Sequence, residues 1–252
     1  MTEKKIRLDL LLVEQGLASS RQRARAMIMA GNVLVNDKLL DKPGAMIIKD
    51  AGVIIKIKRE DLPFVSRGGL KLEAALKELE ADIEGFICLD VGASTGGFTD
   101  CLLQHGARRV FAVDVGYGQL AWKLRQDRRV VILERTNIRH IPLVAITEPV
   151  DLITIDVSFI SLKKVVPSLL QFIKKNTMIL ALIKPQFEVG KGKVGKGGVV
   201  RDPAQHAEVI SDLCAFFSEV GLLCEKIMPS PILGPKGNKE FFIFLKKTLN
   251  PN

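Results

Sequence analysis

The sequence has few of the residues that mark several common classes of protein. Among its 252 residues are four cysteines, three histidines, one tryptophan and one tyrosine. The cysteines at 88, 101, 214 and 224 show no paired metal-ligand spacing, and the histidines at 105, 140 and 206 stand singly. No metal site is expected from this pattern, and the cysteines are expected to be small core residues.

The chain also lacks a long hydrophobic run and an apolar leader. No uninterrupted apolar stretch approaches the roughly 20 residues that span a bilayer, and the sequence begins Met-Thr-Glu-Lys-Lys. We therefore expect a cytoplasmic protein that does not act at a membrane. With 47% hydrophobic residues over 252 positions, the chain can bury the cores of one large and one small domain.

Acidic residues are scarcer than basic ones. The chain has 37 Lys and Arg against 28 Asp and Glu, a net charge of +9, and residues 1–60 carry 12 basic against 7 acidic residues. A basic surface concentrates polyanions, so nucleic acid is the expected partner, ahead of anionic lipid. A basic surface that is merely solvated stays open on charge alone.

The stretch Ile87–Thr99 joins an apolar run to a glycine-rich turn and then to a helical pattern. Its glycines allow the backbone to approach a ligand, and the helix start offers free N–H groups. The next apolar run ends in Asp114, about 20 residues after the loop, where a carboxylate commonly holds ribose hydroxyls. The loop reads Gly-Ala-Ser-Thr-Gly-Gly-Phe, not Gly-x-Gly-x-x-Gly, which favours S-adenosylmethionine over NAD. An ordinary tight turn is the alternative.

Downstream of the first 85 residues, apolar strand patterns alternate with helical patterns. Strands are predicted at 86–91, 110–114, 130–133, 151–156, 178–183, 224–228 and 240–245. This alternation predicts an α/β fold with a doubly wound parallel sheet. Asp90, Asp114, Asp156 and Lys184 all lie at strand ends, so we expect them to line one crevice at the carboxyl edge of the sheet.

The N-terminal residues predict a separate basic unit. Helical patterns cover residues 6–17 and a second stretch that starts at Ser19 or Ser20 and ends at Gly31; strands are expected at 32–38 and 53–58. Two short helices, the second rich in arginine, followed by glycine and a strand resemble the S4 RNA-binding domain. The resemblance implies RNA contacts from Ser20, Arg21, Arg23, Arg25, Asn32 and Lys38. A small basic cap without a ligand is the alternative.

The two units are expected to be joined at a break in the pattern. Glu60-Asp61-Leu62-Pro63 interrupts the strand signal because proline does not continue a strand easily. The predicted organisation is an S4-like domain at 1–59, a linker at 60–63 and a second domain at 64–252.

The nucleophile decides which residues a methyl transfer requires. Methylation of a cytosine carbon calls for a cysteine at the end of strand 178–183, and none is there; exocyclic amines favour an aromatic beside a Pro-Pro turn, whereas Val-Ser-Phe follows Asp156. A ribose 2′-hydroxyl needs a base and nearby cations. Lys184, partly desolvated before Pro185, is the candidate base, with Asp156 orienting it and Lys71 supporting the developing charge. A solvated lysine at a strand end is the alternative.

A set of motifs together resembles the TlyA (haemolysin A) family of ribosomal RNA methyltransferases, which is similar to the FtsJ-type 2′-O-methyltransferases. The motifs are Ser66–Leu72, Asp90–Thr99, Ile155–Ile160, Leu182–Glu188 and Asn238–Glu240. The resemblance implies a Rossmann-like class I methyltransferase domain with a seven-stranded, mostly parallel sheet. It also implies a Lys-Asp-Lys-Glu catalytic set, which falls on Lys71, Asp156, Lys184 and Glu240.

The same resemblance implies S-adenosylmethionine as cofactor. The implied binding residues are Asp90, Gly92, Ser94, Thr95, Gly96, Gly97, Phe98, Asp114, Thr136 and Asn137, with Asp114 at the ribose and the last two near adenine. The FtsJ-type loop has a Gly-Pro-Gly-Gly form, which Ala93-Ser94-Thr95 replaces here. This departure leaves the exact methionine contacts open.

The implied substrate is the ribose of cytidine in 16S or 23S ribosomal RNA, or in both. RNA contacts would extend to Arg67 and to Lys191, Lys193 and Lys196 of a glycine-rich segment expected to be flexible. A solvated loop fits the composition of that segment equally well. Two other classes remain as alternatives: a non-catalytic RNA-binding ribosome-assembly factor, and a membrane-active haemolysin, against which the lack of a spanning run argues.

Overall fold

The chain divides into two units, residues 1–62 and 63–252. The computed structural model describes residues 5–18, 20–29, 31–49, 52–57, 62–190, 192, 194–195 and 197–248. The division falls at the end of the predicted linker 60–63, of which Glu60 and Asp61 lie outside the described residues.

The N-terminal unit consists of two short helices and short antiparallel strands. In chain order they are β1 (Lys5–Arg7), α1 (Leu8–Glu14), α2 (Arg21–Met29), β2 (Val33–Val35), β3 (Lys38–Leu39), β4 (Met46–Ile48) and β5 (Ile55–Ile57). Strand β1 pairs with β4, and β2 pairs with both β3 and β5. The two helices and the strand that follows Gly31 agree with the sequence prediction.

The sequence prediction was wrong at the first strand. The helix was expected to begin at residue 6, but Ile6 and Arg7 belong to β1 and pair with β4, where Ile6 lies opposite Ile47. Three residues are too few to show a period, so the partner strand decides their conformation. At α2 the prediction is confirmed, because Ser20 Oγ accepts a hydrogen bond from Arg23 N at 3.1 Å and caps the helix.

A buried carboxylate joins α1 to α2. Arg7 donates two hydrogen bonds to Asp9, at 3.0 and 2.9 Å, and Arg21 donates a third at 3.1 Å. The hydrogen bonds from Arg7 lower the pKa of Asp9 to about 2, although burial acts in the opposite direction. Asp9 therefore remains charged at all ordinary pH values and holds both arginines in place.

The C-terminal unit is an α/β structure. Its helices are α3 (Gly68–Glu78), α4 (Gly97–Gln104), α5 (Trp122–Arg125), α6 (Leu162–Leu169), α7 (Pro185–Glu188) and α8 (Pro203–Glu219). Its strands are β6 (Ile87–Val91), β7 (Arg109–Val113), β8 (Val130–Leu133), β9 (Leu152–Ile155), β10 (Met178–Ile183), β11 (Leu222–Pro229) and β12 (Phe241–Lys247). Short 3-10 turns occur at Ile138–His140, Leu143–Ala145, Leu170–Phe172 and Pro235–Gly237.

The sheet of this unit has seven strands in the order β11-β12-β10-β9-β6-β7-β8. Neighbouring strands from β8 to β10 pair in parallel, whereas β12 is antiparallel to both β10 and β11. The predicted mostly parallel, seven-stranded sheet is confirmed. In the β10–β12 pair Phe241 lies opposite Ile183, so β12 begins at the edge where β10 ends.

Both faces of the sheet are covered. Ile87, Leu89 and Val91 of β6 pack into one cluster with α6 and α8, while Cys88 between them packs into the opposite cluster with α3 and α4. All five residues of β6 are buried, as expected for a parallel strand with helices on both sides. This packing holds the carboxyl ends of the central strands at one rigid edge.

Helix α8 begins as the sequence indicates. Asp202 Oδ1 accepts a hydrogen bond from Ala204 N at 2.9 Å, and Pro203 occupies the first helical position.

Cys88 and Cys101 are buried as expected, while Cys214 and Cys224 are half-buried with their Sγ atoms 2.6 Å apart. No helix within the described residues is long and apolar enough to cross a membrane.

We predict that Asp9→Asn destabilises the N-terminal unit at neutral pH. A carboxyl whose pKa is lowered by folding stabilises the native state above its unfolded pKa of about 4 and loses that contribution as pH falls towards 2. The stability difference between the native chain and Asp9→Asn should therefore shrink over this window. Urea titrations read by pulse proteolysis of the N-terminal unit measure it, and a difference independent of pH would contradict this account.

Candidate active site

The glycine-rich loop after β6 depends on two close backbone approaches. Gly92 has φ +87°, and a Cβ at this position would overlap the carbonyl oxygen of Asp156. Gly96, at φ +93°, is packed against Leu124 and precedes the first turn of α4. Glycine is needed at both positions, because each has a positive φ and no room for a Cβ. The close approach at Gly92 brings the ends of β6 and β9 into contact.

A cavity of about 380 Å³ opens at this edge of the sheet. All four predicted catalytic residues line it: Lys71, Asp156, Lys184 and Glu240. Lys71 comes from the first turn of α3, Asp156 follows β9, Lys184 follows β10, and Glu240 precedes β12. The structure thus brings together side chains that are far apart in the sequence.

Lys71 and Glu240 form one ion pair in this cavity. Lys71 Nζ donates to Glu240 Oε2 at 2.5 Å, and the Glu240 side chain is fully buried. The other oxygen, Oε1, lacks a hydrogen-bond partner among the described residues and lies against Gly234, where a Cβ would overlap it. A buried carboxylate of this kind requires its cation, so Lys71 is held at the cavity wall.

Lys184 and Asp156 form a second ion pair. Lys184 Nζ lies 2.5 Å from Asp156 Oδ1. The hydrogen bond that Lys184 donates goes to Ser158 Oγ, at 2.9 Å. The Lys184 side chain is 10% exposed, so water has little access to its amine.

A second cavity, of about 490 Å³, adjoins the first and shares Gly92, Ser94 and Asp156 with it. Asp114 lies in its wall and accepts hydrogen bonds from Ser94 N at 2.7 Å and from Gly116 N at 2.6 Å. These backbone donors fix the carboxylate and leave other acceptor positions for a ligand.

The remaining predicted cofactor residues divide into two groups. Thr95, Gly97 and Phe98 line the first cavity, and Thr136 and Asn137 line the second. Within the described chain, Gly96 and Asp90 line neither cavity. Gly96 instead shapes the turn into α4.

Asp90 lies below the loop and is fully buried. It accepts hydrogen bonds from Thr99 Oγ1 at 2.6 Å and Thr154 Oγ1 at 3.1 Å, and burial raises its pKa to about 7. Asp90 lies on the same face of β6 as Cys88, so its side chain points towards α4 and lines neither cavity. Asp90 thus bridges α4 and β9, and its predicted contact with the cofactor stays a prediction.

The predicted RNA-binding residues are distributed over both units. Arg21, Arg23, Arg25 and Lys38 are exposed in the N-terminal unit, Asn32 is half-buried, and Ser20 caps α2. Arg67 is exposed and lines the first cavity. Lys191, Lys193 and Lys196 lie outside the described residues.

Some functional candidates were missed from the sequence. Ser158 and Phe159 follow Asp156 in a motif that was recognised, yet neither received a role. Phe159 has φ +64°, is 90% exposed, lines the second cavity, and its ring centroid lies 5.0 Å from that of Phe187. A strained, exposed aromatic beside a cavity is typical of a functional site. Gly234 carried no sequence signal beyond its glycine- and proline-rich surroundings.

Comparison with known proteins assigns the fold to a class. Residues 64–247 match the FtsJ-like methyltransferase family, and residues 6–47 match the S4 domain. The chain therefore belongs to the FtsJ-like methyltransferase family and carries an S4 domain in front of the catalytic fold. Both resemblances that the sequence motifs indicate are confirmed.

Close relatives extend over nearly the whole chain. The 16S/23S rRNA (cytidine-2′-O)-methyltransferase TlyA of Mycobacterium tuberculosis is 46% identical over 96% of this chain and 90% of its own. Hemolysin A of Brachyspira hyodysenteriae is 41% identical over 94% of this chain and 98% of its own. A solved structure from Streptococcus thermophilus has a TM-score of 0.76 and 44% identity, covering 99% of this chain and 91% of its own.

We predict that Gly234→Ala disturbs the site through Glu240. Gly234 has φ −71°, so alanine meets no backbone strain there, but its Cβ would overlap the buried carboxylate that holds Lys71. We expect a loss of about 1–3 kcal/mol in the free energy of unfolding, as for other overpacked positions. Urea denaturation measures this loss.

Gly190→Ala is the matched control for this change. An added Cβ at Gly190 meets no atom of the described residues within 4 Å, so the stability of Gly190→Ala should stay within about 0.5 kcal/mol of the native chain. Equal stabilities for the two variants would show that the carboxylate moves aside freely and that the close packing is unimportant.

Proposed function

We propose that the protein is an S-adenosylmethionine-dependent methyltransferase that modifies the ribose 2′-hydroxyl of cytidine in ribosomal RNA. The observation that carries this proposal is the convergence of Lys71, Asp156, Lys184 and Glu240 on one cavity, which shares a wall with a second, ligand-sized cavity. The family match supports the reaction class. The name of the Mycobacterium tuberculosis relative supports cytidine in ribosomal RNA as the acceptor.

The second cavity fits the adenosine part of S-adenosylmethionine. The Asp114 carboxylate is an acceptor fixed by two backbone N–H groups, which suits the two hydroxyl donors of a ribose. Beyond it, Thr136, Asn137 and Ile138 provide a mixed polar and apolar wall suited to a purine ring. When bound, the cofactor supplies an electrophilic methyl group that needs no acid from the protein.

The first cavity then activates the acceptor. A ribose hydroxyl is a weak acid, so it must lose its proton to a base as it attacks. Lys184 in its neutral form takes this proton at Nζ, and Asp156 stabilises the resulting ammonium. Lys71, held by Glu240, keeps a positive charge beside the developing alkoxide. Two partly buried lysines, each paired with a carboxylate, thus serve different purposes.

RNA recognition is assigned to both units. The exposed arginines of α2 suit the phosphates of a structured RNA, which bind Arg through charge-assisted hydrogen bonds. In the C-terminal unit Arg67 lies at the first cavity and the exposed ring of Phe159 at the second. Aromatic rings of this kind stack on unpaired bases. The net charge of +9 also favours a polyanionic partner such as RNA.

Ribosomal RNA from cells lacking the gene tests the proposed function. We expect mass spectrometry to show one or more cytidines without the 2′-O-methyl group, and complementation with the native gene to restore it. Lys184→Ala should fail to restore it, because no other described base lines the cavity in an equivalent position.

Lys164→Ala, at an exposed position of α6, is the matched lysine control and should restore the modification fully. The proposal would be wrong if Lys184→Ala restored the methyl group as well as Lys164→Ala did. Identical RNA from cells with and without the gene would exclude ribosomal RNA methylation altogether.

A second prediction concerns the cofactor alone. Asp114→Asn should weaken S-adenosylmethionine binding about tenfold, because the amide nitrogen cannot accept the backbone hydrogen bonds that the carboxylate accepts. Titration calorimetry measures this without any turnover. Asp212→Asn, on the exposed side of α8, should bind like the native chain. Absence of binding by the native chain would favour a non-catalytic RNA-binding protein.

A further inference from the structure

We infer that Ser158 is a positioning residue that orients the amine of Lys184 for proton abstraction. The inference deepens the proposed function and rests on it, since it assigns Ser158 a part in preparing the same base. Its starting point is the contact in which Lys184 Nζ donates a hydrogen bond to Ser158 Oγ at 2.9 Å.

The two partners of Lys184 differ in what they provide. Asp156 Oδ1 is closer, at 2.5 Å, and carries a negative charge, so it acts mainly through charge. Ser158 provides the directional contact. Asp156 therefore stabilises the charged product of proton transfer, whereas Ser158 decides which way the amine faces before transfer.

Orientation matters because a neutral amine has only one lone pair. A neutral lysine carries two N–H groups and one lone pair, in a tetrahedral arrangement about Nζ. With one N–H directed to Ser158 and the other towards Asp156, the lone pair of Lys184 takes the remaining direction. Without Ser158 the amine turns about its last C–N bond, and fewer of its orientations are productive.

Ser158 is itself held in place by the segment that follows Lys184. Glu188 of α7 accepts a hydrogen bond from Ser161 Oγ at 2.6 Å and another from Leu162 N at 2.8 Å. These bonds join the end of the loop after β9 to α7. The ring of Phe187 packs against that of Phe159. The part of the loop that follows Ser158 is thus joined to α7, while Asp156 lies on the part that precedes Ser158.

The location of Ser158 agrees with this role. Ser158 lines the second cavity, Lys184 lines the first, and Asp156 lines both. The Ser158 hydroxyl therefore reaches Lys184 from the side of the second cavity, which is the proposed cofactor site. A base held from that side presents its lone pair to an acceptor placed in the first cavity.

Steady-state methylation of ribosomal RNA by the full-length chain tests this role. Ser158→Ala should lower kcat about tenfold, about the size of one lost hydrogen bond between neutral groups, with KM for RNA and the dissociation constant of S-adenosylmethionine within twofold of native. Ser158→Thr, which keeps the hydroxyl, should recover most of the rate. Ser168→Ala, which removes a hydroxyl that donates to Val165 O within α6, is the matched control.

The inference is overturned if Ser158→Ala retains the native kcat, or if Ser158→Thr falls as far as Ser158→Ala. A loss confined to KM would also overturn it, because that result would make Ser158 a binding residue rather than an orienting one.

A measurement without turnover separates this inference from the proposed function. Trace acetylation of the full chain by acetic anhydride, read at each lysine by mass spectrometry, reports how freely each amine reacts. Acetylation of Lys184 should rise severalfold in Ser158→Ala and stay native in Ser168→Ala, with Lys71 of the same cavity as internal reference. An unchanged rate at Lys184 contradicts the inference, whereas failure of the native chain to methylate RNA contradicts only the proposed function.

Discussion

The antiparallel pairing of β12 with β10 is the interaction on which the site depends. It places the start of β12 beside the end of β10, so that Glu240 and Lys184 meet at one edge of the sheet although they belong to strands of opposite direction. Glu240 in turn fixes Lys71 on α3. A parallel β12 would put residue 240 at the opposite edge, and Lys71 would lose its counter-ion.

Much of this arrangement was predictable from local sequence patterns. The parallel strands have apolar cores and polar ends, so Asp114, Asp156 and Lys184 could be assigned to one crevice before any coordinates were known. Lys71 and Glu240 have no such local signal, because a lysine in a first helical turn and a glutamate before a strand are ordinary surface residues. Lys71 was assigned only a supporting charge from the chemistry, and the family resemblance added Glu240 and completed the catalytic set.

The features that could not be predicted depend on contacts between distant segments. The conformation of β1 is set by β4, and the Asp90 carboxylate is held by Thr99 and Thr154 from two other elements. Ser158 belonged to a recognised motif, but its bond to Lys184 depends on how far the loop after β9 is drawn towards α7. Side-chain direction within a loop has no period, so composition and spacing leave it undetermined.

The distance in sequence between Lys71 and Glu240 has a consequence for biosynthesis. These partners are separated by 169 residues, and Glu240 directly precedes β12 of the sheet. A nascent chain that has folded its glycine-rich loop and central strands still has an uncompensated Lys71 and an open sheet edge at β10. Catalytic competence is therefore reached only after the segment that carries Glu240 has left the ribosome and paired with β10.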